Sequence, residues 1–276
     1  MSDSGSNLSR WLWDAERFGF TPGKLVKRLG YGTAPKVLCV SIPKSGTHLL
    51  ERAVCRVPSL YRRLLPTIND SNLVHYGGLG TLLPQLAPGQ VLFAHLAYTM
   101  ERAAEAQAND VKVLFMIRDP RAVVCSQADY IFKRENHPQH DVFAAEATPK
   151  ARIARAIRGN QATELSSVGQ RLAEFSGWLA AAGCVVRFED LVGPRGGGEE
   201  TRQRESLDRV FDYLQVGLDA DGRTAIREAV FSEASPTFSK GSTTGWKGRM
   251  DSELLGLMRE TAGAQMKLYG YPDTRD

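Results

Sequence analysis

Residues 43–48 read Pro-Lys-Ser-Gly-Thr-His, which gathers an ammonium, two hydroxyls and a glycine into the space of one turn. Such a set binds anions. Where a helix begins, its first N–H groups lack intrahelical acceptors and its dipole favours negative charge. Lys44, Ser45, Gly46, Thr47 and the backbone of His48 are therefore candidates to cradle a phosphate. The nucleoside-triphosphate cradle, G-x-x-x-x-G-K-[ST], puts its lysine after the second glycine and uses the next hydroxyl for magnesium. Here Lys44 precedes Gly46, so that pattern is not met. A plain strand-turn-helix with an incidental lysine is the competing reading of these residues taken alone.

His95 is a candidate general base, because the unshifted histidine pKa of about 6.5 lies near working pH. A histidine at a strand end is also commonly structural. His48 is a second candidate base, while His75, His137 and His140 fall in segments that would cover a site. The acids lack metal-ligand spacing and no H-E-x-x-H occurs, so no metal is expected.

The elements that must position these groups alternate strand and helix. Val37, Leu38, Cys39, Val40 and Ile42 form a continuous apolar run, the mark of a strand buried on both faces of a parallel sheet, and Pro43 ends it. Thr47, His48, Leu49, Leu50, Ala53 and Val54 carry helical spacing. Residues 56–89 are rich in Pro and Gly and read as loops over the sheet. Strands follow at 90–96, with His95 at its end, and at 111–117, ending in Arg118-Asp119-Pro120. The carboxyl ends of parallel strands gather ligands, so His95 is expected to face the same crevice as Lys44. A helix from Arg121 carries Ser126 on the side facing back toward Arg118, and residues 128–150 read as a mobile cover. A helix is expected over 151–182, capped by Gly183, then a strand at 184–188 and a flexible loop at 193–204. Helices at 206–215 and 254–269 flank a loop, 235–250, shaped by what it binds.

The chain has 276 residues, 42% of them hydrophobic, and a formal net charge of +4. That is enough for one α/β domain with a real core, and too mild a charge to indicate nucleic acid. Residues 37–276 are read as the single domain and 1–36 as an N-terminal extension, disordered at its polar start. Trp11, Trp13, Phe18 and Phe20 among Arg10, Arg17 and Lys24 leave two readings there, a helix packed on the domain or a membrane-docking surface. Cys39, Cys55, Cys125 and Cys184 are scattered and read as reduced core thiols. With neither a spanning apolar run nor a secretory signal, a cytoplasmic location is the default. A homodimer is left open.

Four separated pieces resemble the sulfotransferases that use 3′-phosphoadenosine 5′-phosphosulfate (PAPS), in that family's order, across roughly residues 37–271. Pro43-Lys44-Ser45-Gly46-Thr47 is similar to its 5′-phosphosulfate loop. Arg118-Asp119-Pro120, with Ser126 eight residues after the arginine, resembles its 3′-phosphate motif; a guanidinium and a hydroxyl so placed can clamp one phosphate. Phe188-Glu189-Asp190 looks like its Y-E-D without the tyrosine hydroxyl. Ser235-Pro236-Thr237-Phe238-Ser239-Lys240-Gly241, followed by Gly245-Trp246-Lys247, resembles its closing loop, with Ser239 where arginine is usual. Leu49 stands where many members have tryptophan. Ala94-His95-Leu96 loosely resembles the segment bearing the family's catalytic histidine.

The resemblance implies a P-loop-like three-layer α/β fold with a central, mostly parallel sheet flanked by helices. It further implies sulfuryl transfer from PAPS to the hydroxyl of a small alcohol or phenol, in line, releasing PAP. Lys44 and His95 would be catalytic. Lys44, Ser45, Gly46, Thr47, His48, Arg118, Ser126, Phe188, Lys240 and Gly241 would bind the donor. Tyr61, Tyr76, Tyr98, Tyr130, Phe132 and Phe143 in the cover suggest an apolar or aromatic acceptor. The alternatives are a P-loop phosphoryl-transfer enzyme and a non-catalytic nucleotide-binding module.

Overall fold

A computed structural model describes residues 15, 18–20, 34–231 and 243–271. Most of the N-terminal extension, and the expected donor contacts Lys240 and Gly241, lie outside the described residues. Six strands, β1 (Lys36–Ser41), β2 (Tyr61–Arg62), β3 (Ile68–Asn69), β4 (Gln90–His95), β5 (Val111–Ile117) and β6 (Cys184–Arg187), form one sheet. Its order is β2-β4-β1-β5-β6, with β3 also paired to β4, and every pairing is parallel. Parallel neighbours need crossovers, and here helices supply them on both faces.

The longer helices are α1 (Thr47–Cys55), α2 (Met100–Ala108), α3 (Pro120–Phe132), α4 (Pro149–Arg158), α5 (Val168–Phe175), α6 (Glu200–Leu214), α7 (Ala220–Val230) and α8 (Ser252–Leu268). The period-two alternation of β1 divides the core. Leu38 and Val40 join the face packed by α3, α4, α5 and α8, whereas Val37 and Cys39 join the face packed by α1, α6 and α7. This is the three-layer α/β architecture expected. Register places Val40 opposite Ala94 and Ser41 opposite Met116, so β1, β4 and β5 end at nearly one level and deliver their following residues to one edge.

Several boundaries differ from the expectations. Residues 56–89 contain β2, β3 and short helical turns, and their two-residue strands are too short for periodicity to register. In the segment read as a mobile cover, α3 continues to Phe132, and Phe143 is fully buried in the core. The helix expected over 151–182 is broken. Gly159 has φ +74°, Glu164 has φ 56°, and Asn160 bridges Leu165 antiparallel. A Cβ at Gly159 would sit 2.3 Å from the Leu165 carbonyl oxygen, so the chain turns there because only glycine allows it. The loop expected to reach 204 gives way to helix at Glu200, and α7 was not anticipated. Among the described residues no helix is long and apolar enough to cross a membrane.

Candidate active site

The turn between β1 and α1 holds two residues at positive φ, Lys44 at 72° and Gly46 at 104°. Gly46 is the N-cap of α1 and makes no side-chain cap hydrogen bond, so the positive end of the helix dipole faces this turn. A Cβ on Gly46 would lie 2.6 Å from Phe188 Cδ2 and 2.9 Å from Met116 Cε. The ends of β5 and β6 thus close against the turn, and glycine is required by both its φ and its surroundings. Ser45 is fully buried; its N–H donates to the Ile42 carbonyl (3.0 Å), and its hydroxyl reaches the carbonyls of Ile42 (2.6 Å) and Met116 (3.1 Å). That side chain braces the turn from beneath.

His95, the last residue of β4, sets Nδ1 2.7 Å from the Ser41 carbonyl oxygen and 3.2 Å from Ser41 Oγ. The carbonyl only accepts, which assigns the proton to Nδ1 and leaves Nε2 with a free lone pair. Ser41 Oγ in turn lies 2.8 Å from Thr47 Oγ1, so one hydrogen-bonded chain links histidine and anion turn. Burial pushes the His95 pKa below its ordinary 6.5; the Ser41 contact opposes this, and the charges of His48 and Lys44 add to it. His48 Nδ1 is 3.1 Å from Oε2 of the fully buried Glu51, whose other oxygen pairs with Arg62 of β2.

Lys44 Nζ stands 3.8 Å from the ring centroid of Tyr130 on α3. Burial, followed by the charges of Arg134 and Arg118, brings its pKa down to about 8. Arg118 Nη1 donates to the Lys44 carbonyl at 3.4 Å, and its Cζ lies 3.9 Å from the centroid of the Phe188 ring. Ser126 is four residues before Tyr130 on α3, hence on the same helix face. Asp119 caps α3 by accepting from Arg121 N–H (2.9 Å), while its own N–H donates to Glu189 Oε1 (2.9 Å). The Tyr271 hydroxyl donates to Glu189 Oε2 (2.7 Å). Glu189 therefore joins the ends of β5 and β6 and holds the Arg118 turn; its burial raises its pKa.

The segment ending at Met250 is docked on α3. Arg121 Cζ lies 4.1 Å from the Trp246 ring centroid, and Arg249 forks onto both oxygens of Asp129 at 2.7 Å each. Thr243 is held to the turn at Gly196 and Gly197 (3.3 and 2.9 Å). Sequence reasoning missed Ser41 as the partner of His95, Tyr130 as the platform under Lys44, and Glu189 as a brace. Tyr130 could have been found from its i+4 spacing to Ser126, and Glu189 from its place in the Phe188-Glu189-Asp190 motif. Among the described residues no group of three or more His, Cys, Asp or Glu is placed to hold a metal.

No family model matches the chain. Carbohydrate sulfotransferase 3 of Mus musculus is 26% identical over 176 residues, 60% of this chain, and the match spans only 35% of that protein's length. Among solved structures, mouse sulfotransferase SULT7A1 complexed with PAP superposes with a TM-score of 0.59 at 16% identity, covering 86% of this chain and 89% of that one. The chain has the sulfotransferase fold. Retinol dehydratase in complex with androsterone and inactive cofactor PAP gives a TM-score of 0.55 at 14% identity, over 92% of this chain and 87% of that one. In this fold the turn at residues 43–46, Arg118 and His95 lie at the carboxyl edge of the central strands.

Proposed function

We propose that this protein is a PAPS-dependent sulfotransferase acting, without a metal, on the hydroxyl of a small molecule in the cytoplasm, with His95 as general base. The observation that carries the reading is the convergence at one sheet edge of an uncapped helix start, two half-buried cations, Lys44 and Arg118, and a histidine with its lone-pair nitrogen free. The residues present fit a nucleotide carrying two separated anionic groups. Gly46, Thr47 and His48 offer first-turn amides, Lys44 a charge beside them, and Arg118 with Ser126 a second anion site.

PAPS would supply the sulfuryl group. Lys44 is suited to neutralise charge developing on the departing phosphate, and the amides hold oxygens that bear no transferring bond. His95, held by Ser41 in the Nδ1–H tautomer, would accept the acceptor's hydroxyl proton at Nε2. Phosphoryl transfer is disfavoured because Lys44 precedes the glycine and the Ser45 hydroxyl, bonded to carbonyls, is unsuited to a magnesium ion. A merely nucleotide-binding module would have no use for a base at position 95. His95→Ala tests this. PAP affinity should be unchanged while PAPS turnover with a screened alcohol or phenol falls by about 10²–10⁴, the usual contribution of a general base. Unaltered turnover would remove His95 from the mechanism.

A further inference from the structure

Beyond the residues suited to the donor, positive charge is left over. Three basic groups surround the partly buried ring of Tyr130: Lys44 Nζ at 3.8 Å, Arg134 Cζ at 4.8 Å and the His137 ring, edge-on, at 5.7 Å. Successive turns after α3 build this cluster, since His137 N–H donates to the Arg134 carbonyl and Arg134 N–H to that of Ile131. His137 Nδ1 accepts from Gln139 N–H at 3.1 Å, so in the neutral ring the proton sits on Nε2 as a donor. The acid acting on Lys44, Asp129, has both oxygens engaged by Arg249. No ion pair holds Arg134 among the described residues, and it is exposed. A donor on Lys44, Arg118 and Ser126 would leave Arg134 and His137 without an anion, one turn further along the cover.

We propose that the acceptor itself is anionic, bearing a carboxylate or sulfate ester, and that the Arg134 guanidinium and His137 Nε2–H receive that group beside the Tyr130 ring. A guanidinium next to an imidazole N–H matches the spread oxygens of such a group, and the Tyr130 ring holds both basic groups in place. This rests on the sulfotransferase reading and narrows the apolar-acceptor expectation drawn from the aromatic residues.

The test is calorimetric titration of the full chain, saturated with PAP, against matched pairs: 4-hydroxyphenylacetate with 4-hydroxyphenethyl alcohol, and glucuronate with methyl glucoside. The charged member of at least one pair should bind roughly tenfold tighter, the effect of one charge-assisted contact. Arg134→Gln should abolish that preference and leave PAP affinity unchanged. Equal binding within both pairs, tighter binding of the neutral members, or binding of none overturns the proposal. So does weaker PAP binding in Arg134→Gln, which would return Arg134 to the donor site. Failure of the wild type to bind PAP is a separate result and sinks the underlying reading instead.

Discussion

The two halves of the site are held by different means. On the proposed donor side, Lys44, Gly46, His95 and Arg118 lie at or just beyond the ends of β1, β4 and β5, and contacts to main-chain carbonyls, such as Ser45 N–H to Ile42 and His95 to Ser41, lock them. On the cover side, Ile131, Phe143 and Met250 anchor residues 130–150 and 243–250 in the core, and the rest is tied by side-chain pairs, Arg249 with Asp129, Arg121 with Trp246 and Arg155 with Glu146. A group fixed by strand ends has little freedom to relax, so its loss should be felt in chemistry. A group held by half-exposed ion pairs can be changed cheaply, which suits a surface that selects an acceptor.

The largest effect should come from Lys44→Ala, which removes the charge beside the leaving group. We expect kcat to fall about 10²–10³, with circular dichroism unchanged, as for loss of one preorganised electrostatic donor. An unaltered kcat would detach the turn from catalysis. Gly46→Val should rank next, since a side chain at φ +104° would also strike Phe188 and Met116. Strain of this kind costs on the order of 1–3 kcal/mol, readable in urea denaturation, and PAP binding should be lost with it. Retained PAP affinity would show that the cradle is not at this turn.

The pH profile sharpens the same contrast. As the proposed base His95 would work deprotonated, and its pKa is lowered by burial, so the acid limb of kcat/KM should lie below the ordinary 6.5. In the proposed mechanism Lys44 would work protonated, and burial brings its pKa down to about 8, so activity should decline as pH rises through that value. Lys44→Arg should push the alkaline limb upward if the assignment holds. A limb that stays in place would point to another group.

Ser45→Ala tests the brace. It removes a single hydroxyl donor within reach of the Ile42 and Met116 carbonyls and should cost about 1–3 kcal/mol of stability with PAP affinity nearly unchanged, because the hydroxyl faces inward. Arg249→Ala should be the mildest. Its fork with Asp129 is about a third exposed on each side, so less than about 1 kcal/mol is expected in thermal unfolding. A larger loss would mean that the cover is as rigid as the donor half.

This asymmetry also explains what could be read from sequence. β1, β4 and β5 were legible because both-face burial writes uninterrupted apolar runs, and Lys44 and Arg118 because they directly follow those runs. β2 and β3, each of two residues, write no pattern at all. The break after α4 was hidden because the apolar positions beyond it, Leu165, Val168, Leu172 and Phe175, keep a helical spacing, and the positive φ of Gly159 and Glu164 is not written in the pattern. The pairing of Lys44 with Tyr130, and of Asp119 with Glu189, depends on contacts between elements distant in sequence, and local pattern carries no trace of these.

The central claim, that this edge of the sheet is a PAP site, is tested most directly by calorimetric titration of the purified protein with PAP in metal-free buffer, repeated with Lys44→Ala and Arg118→Ala. Binding that needs no metal and is weakened by both substitutions is the predicted result. Absence of PAP binding, together with magnesium-dependent binding of ATP, would contradict it.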